Sequence, residues 1–162
     1  MAGCTVSIPS GVYFEVPRDY AVYCGGTLVR VSEGGAPDET MGVTWSNQWL
    51  CFSCNGKVVE YKRDAVFGLM LNRQEQVMGT TCCTVRAVFR GADGTIGSLV
   101  ILSCSAQNHA TIEAVFRELE SCRLPVPIVD GTQWARASRT GAKTDVMGLF
   151  GEIPPPASPS QP

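Results

Sequence analysis

The chain has 162 residues, enough for one domain of ordinary size with a substantial core and a modest tail, and too few for two full domains. Thirteen basic against fifteen acidic residues, with no long block of either sign, argue against a partner held mainly by charge, nucleic acid above all. No run approaches membrane-spanning length, the start Met-Ala-Gly-Cys-Thr-Val-Ser-Ile-Pro lacks the basic and apolar regions of a secretory signal, and Ala2 stands where N-myristoylation needs glycine. A cytoplasmic setting is expected, with nuclear residence left open.

Residues 1–19 read as a lead-in, with a short alternating strand from Val12 to Val16 that Pro17 ends. From Tyr20 to Val31 the chain is strand-like on both sides of Gly25-Gly26, which fits either a hairpin or, the favoured reading, a long strand with a bulge. Residues 33–40 form an acidic loop rich in turn formers, and Gly42 to Trp45 is a second extended segment turning at Ser46-Asn47. Trp49 to Tyr61 follows, and it is the clearest structural signal in the chain. Asn55-Gly56 supplies the two residues that tolerate the positive φ of a type I′ turn, so a two-residue β-hairpin is expected. Its register pairs Cys54 with Lys57, Phe52 with Val59 and Leu50 with Tyr61. Leu50, Phe52, Val59 and Tyr61 then share one face, and Cys51, Ser53, Val58 and Glu60 the other.

Lys62-Arg63-Asp64 reads as a charged turn, Ala65 to Leu71 as an apolar strand and residues 72–79 as polar loop. Cys82 to Arg90 alternates Thr84, Arg86, Val88 and Arg90 against Cys83, Val85, Ala87 and Phe89, and Gly91-Ala92-Asp93-Gly94 turns it back into a strand from Thr95 to Cys104. The nearly all-apolar Leu99 to Leu102 predicts a segment buried on both sides. The period then changes from two to 3.6. From Asn108 as N-cap, Ile112, Val115, Phe116, Leu119 and Cys122 lie on one stripe of an amphipathic helix spanning residues 109–122, with Glu113 and Arg117 spaced for an i,i+4 pair. Pro125 and Pro127 stop it. Beyond Leu124, Gly, Pro, Ser and Thr dominate, so residues 125–162 read as a flexible tail with apolar islands at Ile128 to Trp134 and Val146 to Phe150.

The eight cysteines include Cys51-x-x-Cys54 and the adjacent Cys82-Cys83. Residues one or three apart on a strand point to opposite faces, so these thiols do not converge as a zinc site requires. In a reducing compartment they are expected to be small apolar packing groups rather than disulfides.

Six or seven antiparallel strands followed by one amphipathic helix resemble the pleckstrin-homology-like (PH-like) superfamily. The stretch Gly42-Val-Thr-Trp-Ser-Asn-Gln-Trp-Leu-Cys-Phe looks like the strand preceding the hairpin in its GRAM and GLUE branches, although the Arg of that pattern is absent. The resemblance covers roughly residues 20–123. It implies a mainly β sandwich or barrel of about seven strands, occupying residues 20–124, with the helix plugging an open end over Leu99 to Leu102. Phe116 takes the packing role that a Trp commonly fills in the family's helix. Many family members bind phosphoinositides beside the loop after the first strand, but that loop here carries Glu33, Asp38 and Glu39. Lys57, Lys62 and Arg63 are the alternative anion or lipid patch.

The only histidine, His109, falls at the helix start, and Glu113, Glu118 and Glu120 sit at spacings of a solvent-facing stripe. No motif calls for a cofactor, a metal or catalysis. The sequence therefore points to a non-catalytic adaptor or subunit of an intracellular complex, binding a protein through its domain. Val146, Met147, Leu149 and Phe150 are the candidate docking motif of its tail. The alternatives are a phosphoinositide-binding membrane-recruitment module and a structural subunit of a large assembly.

Overall fold

A computed structural model describes residues 2–17, 27–34, 39–77, 79–90 and 96–131. They form a mainly β structure of two five-stranded sheets and one C-terminal helix. The first sheet has the order β1 (Ala2–Ser7), β4 (Thr40–Trp45), β5 (Trp49–Cys54), β6 (Lys57–Lys62), β3 (Val29–Glu33). The second has the order β10 (Ile128–Asp130), β7 (Val66–Val77), β8 (Thr80–Arg90), β9 (Ile96–Ser105), β2 (Tyr13–Phe14). Every pairing is antiparallel except β10 with β7, which is parallel.

The β5–β6 hairpin has the expected register, with Leu50 opposite Tyr61, Phe52 opposite Val59 and Cys54 opposite Lys57. Asn55 and Gly56 take φ of 53° and 79°, the left-handed pair that the turn demands. The predicted inner face is buried throughout, and Phe52 and Tyr61 meet edge to face at 5.9 Å. The β4–β5 turn is held by Ser46, whose Oγ accepts from the N–H groups of Gln48 and Trp49, both at 3.2 Å.

The helix α1 (His109–Ser121) buries Ile112, Val115, Phe116 and Leu119 against β1, β8 and β9. Asn108 is its N-cap residue without a side-chain capping bond, and Cys122 is its C-cap. The same core takes Val6, Met41, Val43, Val85, Leu102 and the inner face of the β5–β6 hairpin.

Several expectations need correction. Residues 1–19 are no mere lead-in: β1 pairs along its whole length with β4, and the strand expected over Val12 to Val16 is the two-residue β2 against β9. Among the described residues ten strands therefore stand where about seven were expected. Residues 72–77 continue β7, across an irregularity between Asn72 and Glu75, where Glu75 finds its partners on β8 and Arg73 finds its own on α1 and β10. Polarity there reflects pairing. The domain does not end at residue 124, since β10 lies beside β7 and Gly131 donates its N–H to the Leu71 carbonyl at 2.7 Å. In β9 a register shift lets Ile101 and Leu102 both turn inward, while Leu99 and Val100 remain half-buried. Most of the expected strand from Tyr20, and the tail residues Val146, Met147, Leu149 and Phe150, lie outside the described residues.

The cysteines also depart from expectation. Cys4 on β1 and Cys122 at the end of α1 are joined by a disulfide, with Cα atoms 5.9 Å apart and a sequence separation of 118. Cys51, Cys54, Cys82, Cys83 and Cys104 are thiols. Cys54, Cys83 and Cys104 are buried as the packing argument expects.

Candidate interaction groove

Lys57, Lys62 and Arg63 do not form a patch. Lys57 and Lys62 open and close β6, so they stand about 17 Å apart along the strand and on opposite faces. Lys57 is ion-paired with Glu33 across the β3–β6 ladder. Arg63 donates from Nη1 to the Ser46 carbonyl at 2.6 Å, and its backbone N–H donates to the Gln48 carbonyl at 2.9 Å. It pins the β4–β5 turn. Lys57 and Arg63 are thus bound to neighbours that a sequence reading by proximity along the chain does not reveal.

The outer face of the first sheet carries a cross-strand row. Arg30 on β3 lies opposite Glu60 on β6, which lies opposite Cys51 on β5, which lies opposite Thr44 on β4. Arg30 donates to Glu60 at 3.3 Å and stacks its guanidinium 3.6 Å from the Trp49 ring centroid. The Cys51 thiol donates to Glu60 at 3.3 Å. Burial first, and then the Glu60 carboxylate, push the Cys51 pKa up to about 11. This thiol is held protonated.

A concave surface lies instead on the outer face of the second sheet, where β2 pairs with β9. It is an apolar groove of about 410 Å3, walled by Tyr13, Cys82, Val100 and Cys104 and rimmed by Glu15, Thr80, Thr84, Ser103 and Ser105. Three features of the sequence build it. The two-residue β2 covers β9 only at Leu102 and Ser103, the alternation of β8 sends Cys82 and Thr84 outward, and the β9 irregularity turns Val100 outward. Tyr13 is 65 % exposed, the most exposed large hydrophobic side chain among the described residues. Glu15 is the charged residue of the lining, and it accepts from Ser103 Oγ at 2.7 Å. Burial raises the Cys82 pKa, helped by the nearby Glu75 carboxylate.

Sequence reasoning missed this groove. Its walls come from residues 13–15, 80–84 and 100–105, which only the pairing of distant strands brings together.

Beside the groove, Glu75 on β7 holds Arg86 and Thr84 of β8: both its oxygens accept from the Arg86 guanidinium and one from the Thr84 hydroxyl, while Arg86 Nη1 donates to Ser98 Oγ at 3.1 Å. At the other edge, Arg73 on β7 bridges Glu113 of α1 and Asp130 of β10. Glu118 Oε2 accepts from the Ser7 N–H at 3.2 Å. Two of the helix carboxylates thus dock α1 onto β7 and β1, where the spacing alone suggested a solvent face. His109 is exposed, its Nδ1 3.3 Å from the Ala106 carbonyl.

Among the described residues no group of three or more His, Cys, Asp or Glu side chains is placed to hold a metal ion, and no helix is long and apolar enough to cross a membrane. No family model, curated protein or solved structure matches this chain.

Proposed function

We propose that this chain is a non-catalytic protein-interaction module that takes a segment of a partner protein in the groove between β2 and β8. The observation that carries the reading is the composition of that groove: an apolar floor at Val100 and Cys82, an exposed aromatic wall at Tyr13, and an acidic rim at Glu15. Such a surface gains from covering apolar area and orients its occupant through one charge. The complementary segment has an apolar side chain to insert and a Lys or Arg beside it for Glu15. A partner strand laid along β2 and β9 presents alternate side chains to the groove.

The order of the strands supports a PH-like reading of the scaffold. β1, β4, β5 and β6 follow one another across the first sheet, β7, β8 and β9 across the second, and α1 comes next in the chain. On this reading residues 8–39, with β2 and β3, are an excursion between the first two strands of a seven-strand core. That excursion supplies β2 and so one wall of the groove. The groove is then an addition to the scaffold rather than an inheritance from it.

The test is selection of a displayed random-peptide library on the full-length protein, followed by titration of the selected peptides. Enriched peptides sharing an apolar anchor flanked by Lys or Arg are expected. Tyr13→Ala and Val100→Glu should each weaken their binding at least tenfold, with Lys62→Glu leaving it unchanged. Circular dichroism confirms that the variants fold. Peptide binding indifferent to both groove substitutions overturns the reading, as does the absence of enrichment. Binding of phosphoinositide-containing vesicles that Lys62→Glu abolishes would replace it with membrane recruitment.

A further inference from the structure

Cys83 on β8 and Cys104 on β9 stand directly opposite each other in the register. Both belong to the main core cluster, at 0 % and 3 % exposure, and their thiols are hydrogen-bonded to one another. Directly opposite residues of an antiparallel pair have Cα atoms about 4.5–5.5 Å apart. A disulfide spans about 4.4–6.8 Å between Cα atoms, so the strand spacing itself brings this pair within bridging reach. The other described thiols stand opposite other residue types: Cys51 faces Glu60 and Thr44, Cys54 faces Lys57, and Cys82 faces Ser105 and Glu75.

The two sulfurs have different surroundings. Cys83 donates to the Arg73 carbonyl at 3.0 Å, within the β7 irregularity. Cys104 sits at the start of α1: it donates to the Asn108 carbonyl at 3.6 Å, and its sulfur accepts from the Ile112 N–H. Asn108 makes no side-chain capping bond, so the sulfur serves one of the N–H groups that a helix start leaves without an intrahelical partner. Burial raises the pKa of both thiols. That of Cys83 is pushed up to about 11, whereas the bonds from the Cys83 thiol and the Ile112 N–H oppose the rise at Cys104. Donors at a helix start favour a thiolate, which makes Cys104 the nucleophile of the pair and Cys83 the thiol that resolves. Cys104 also lines the groove beside β2, which opens a path from solvent to this core sulfur for a molecule as small as a peroxide.

We propose that Cys83 and Cys104 are a peroxide-sensitive dithiol that closes to a cross-strand disulfide, with the groove as the way in. The Cys104 sulfur attacks hydrogen peroxide, the O–O bond breaks, and the sulfur keeps one hydroxyl as a sulfenic acid while the other leaves with the thiol proton as water. The Cys83 sulfur then attacks the Cys104 sulfur. The S–S bond forms, the S–O bond breaks, and hydroxide leaves with the Cys83 proton as a second water. The two sulfurs give up the two electrons that peroxide takes, and a dithiol reductant reverses the step by exchange. Closure removes both S–H donors, so the Asn108 and Arg73 carbonyls lose their sulfur partners together. Oxidation is thereby coupled to the start of α1 and to the irregular stretch of β7.

The test treats the full-length protein with hydrogen peroxide, blocks the remaining thiols with N-ethylmaleimide in denaturant, and maps the linked peptides by mass spectrometry. A link between the peptide holding Cys83 and that holding Cys104 is expected, and dithiothreitol should remove it. The same link should form in Cys82→Ser, which assigns it to Cys83 rather than to its neighbour. In Cys83→Ala the link should be absent, and dimedone labelling of Cys104 should rise about tenfold because its sulfenic acid is no longer resolved. The proposal is overturned by the absence of a link, by a link that Cys82→Ser abolishes, or by one that forms only after the native circular dichroism is lost. If Cys83→Ala itself lacks the native spectrum, mapping of Cys82→Ser decides alone. Peptide binding enters none of these readouts, so failure of the dithiol and failure of the groove reading are distinguishable.

Discussion

Glu75 is the charge on which the β7–β8 pairing turns. Burial by itself would raise its pKa, but the bonds from Arg86 and Thr84 outweigh this and hold the carboxylate below its ordinary value. A group with a depressed folded pKa contributes stability that is fully present above its unfolded value, about 4.3, and is lost as pH falls through the lower folded value. Glu75→Gln is expected to cost about 2 kcal/mol at pH 7, the loss of charge-assisted bonds at a largely buried site. The difference from the parent should shrink below about pH 4, and thermal melts at pH 7 and pH 3 check both statements. The thiols make a second prediction. Burial, aided by Glu60 at Cys51 and by Cys104 at Cys83, pushes both pKa values up to about 11. Since the thiolate is the nucleophile, iodoacetamide at pH 8 should spare both in the native protein and label Cys82 in the groove ahead of them. Mass mapping of the alkylated sites reads the order.

Among the elements, the β5–β6 hairpin and α1 are the most self-sufficient. Gly56 holds φ at 79° with open space around its Cα, so Gly56→Ala meets no collision and pays only for the left-handed backbone. A loss of about 1 kcal/mol is expected in urea denaturation. Leu119 has 0 % exposure and packs in the shared core, so Leu119→Ala should cost about 2–5 kcal/mol by the same measurement. Both elements were legible because turn chemistry and helical period are written within a few consecutive residues. The second half of β7 was not legible. Arg73, Gln74, Glu75 and Gln76 carry no apolar alternation, and what makes them strand is a partner strand with Thr84 and Arg86 in place to receive Glu75.

At the scale of the whole molecule, the Cys4–Cys122 bridge ties the first strand to the end of the helix. Closing a loop of this length restricts the unfolded chain by about 4–5 kcal/mol in the chain-entropy account. Reductant is therefore expected to lower the melting temperature of the parent toward that of Cys4→Ser and to leave the variant unchanged; equal melting temperatures with and without reductant would show that the bridge contributes nothing. The bridge acts with Arg73, which joins β7 to α1 and β10, and with the Ser7–Glu118 bond in fixing the helix over the junction of the two sheets. It also fixes β1, which completes the first sheet, while β2 a few residues later crosses to the second and opens the groove.

Local pattern was enough for the mainly β class, the β5–β6 hairpin with its register and buried face, the inner face of β8 and the helix with its apolar stripe. These depend on alternation, on Asn55-Gly56 and on a 3.6-residue period, all of them short-range and steric. Long-range packing brings Cys4 to Cys122, sets Lys57 and Lys62 apart, bonds Arg63 to a turn, returns β10 to β7, and puts Tyr13 and Val100 in one groove. Those outcomes depend on which distant strands pair, and the free energy that selects the pairing is spread over the common core rather than carried by the residues brought together.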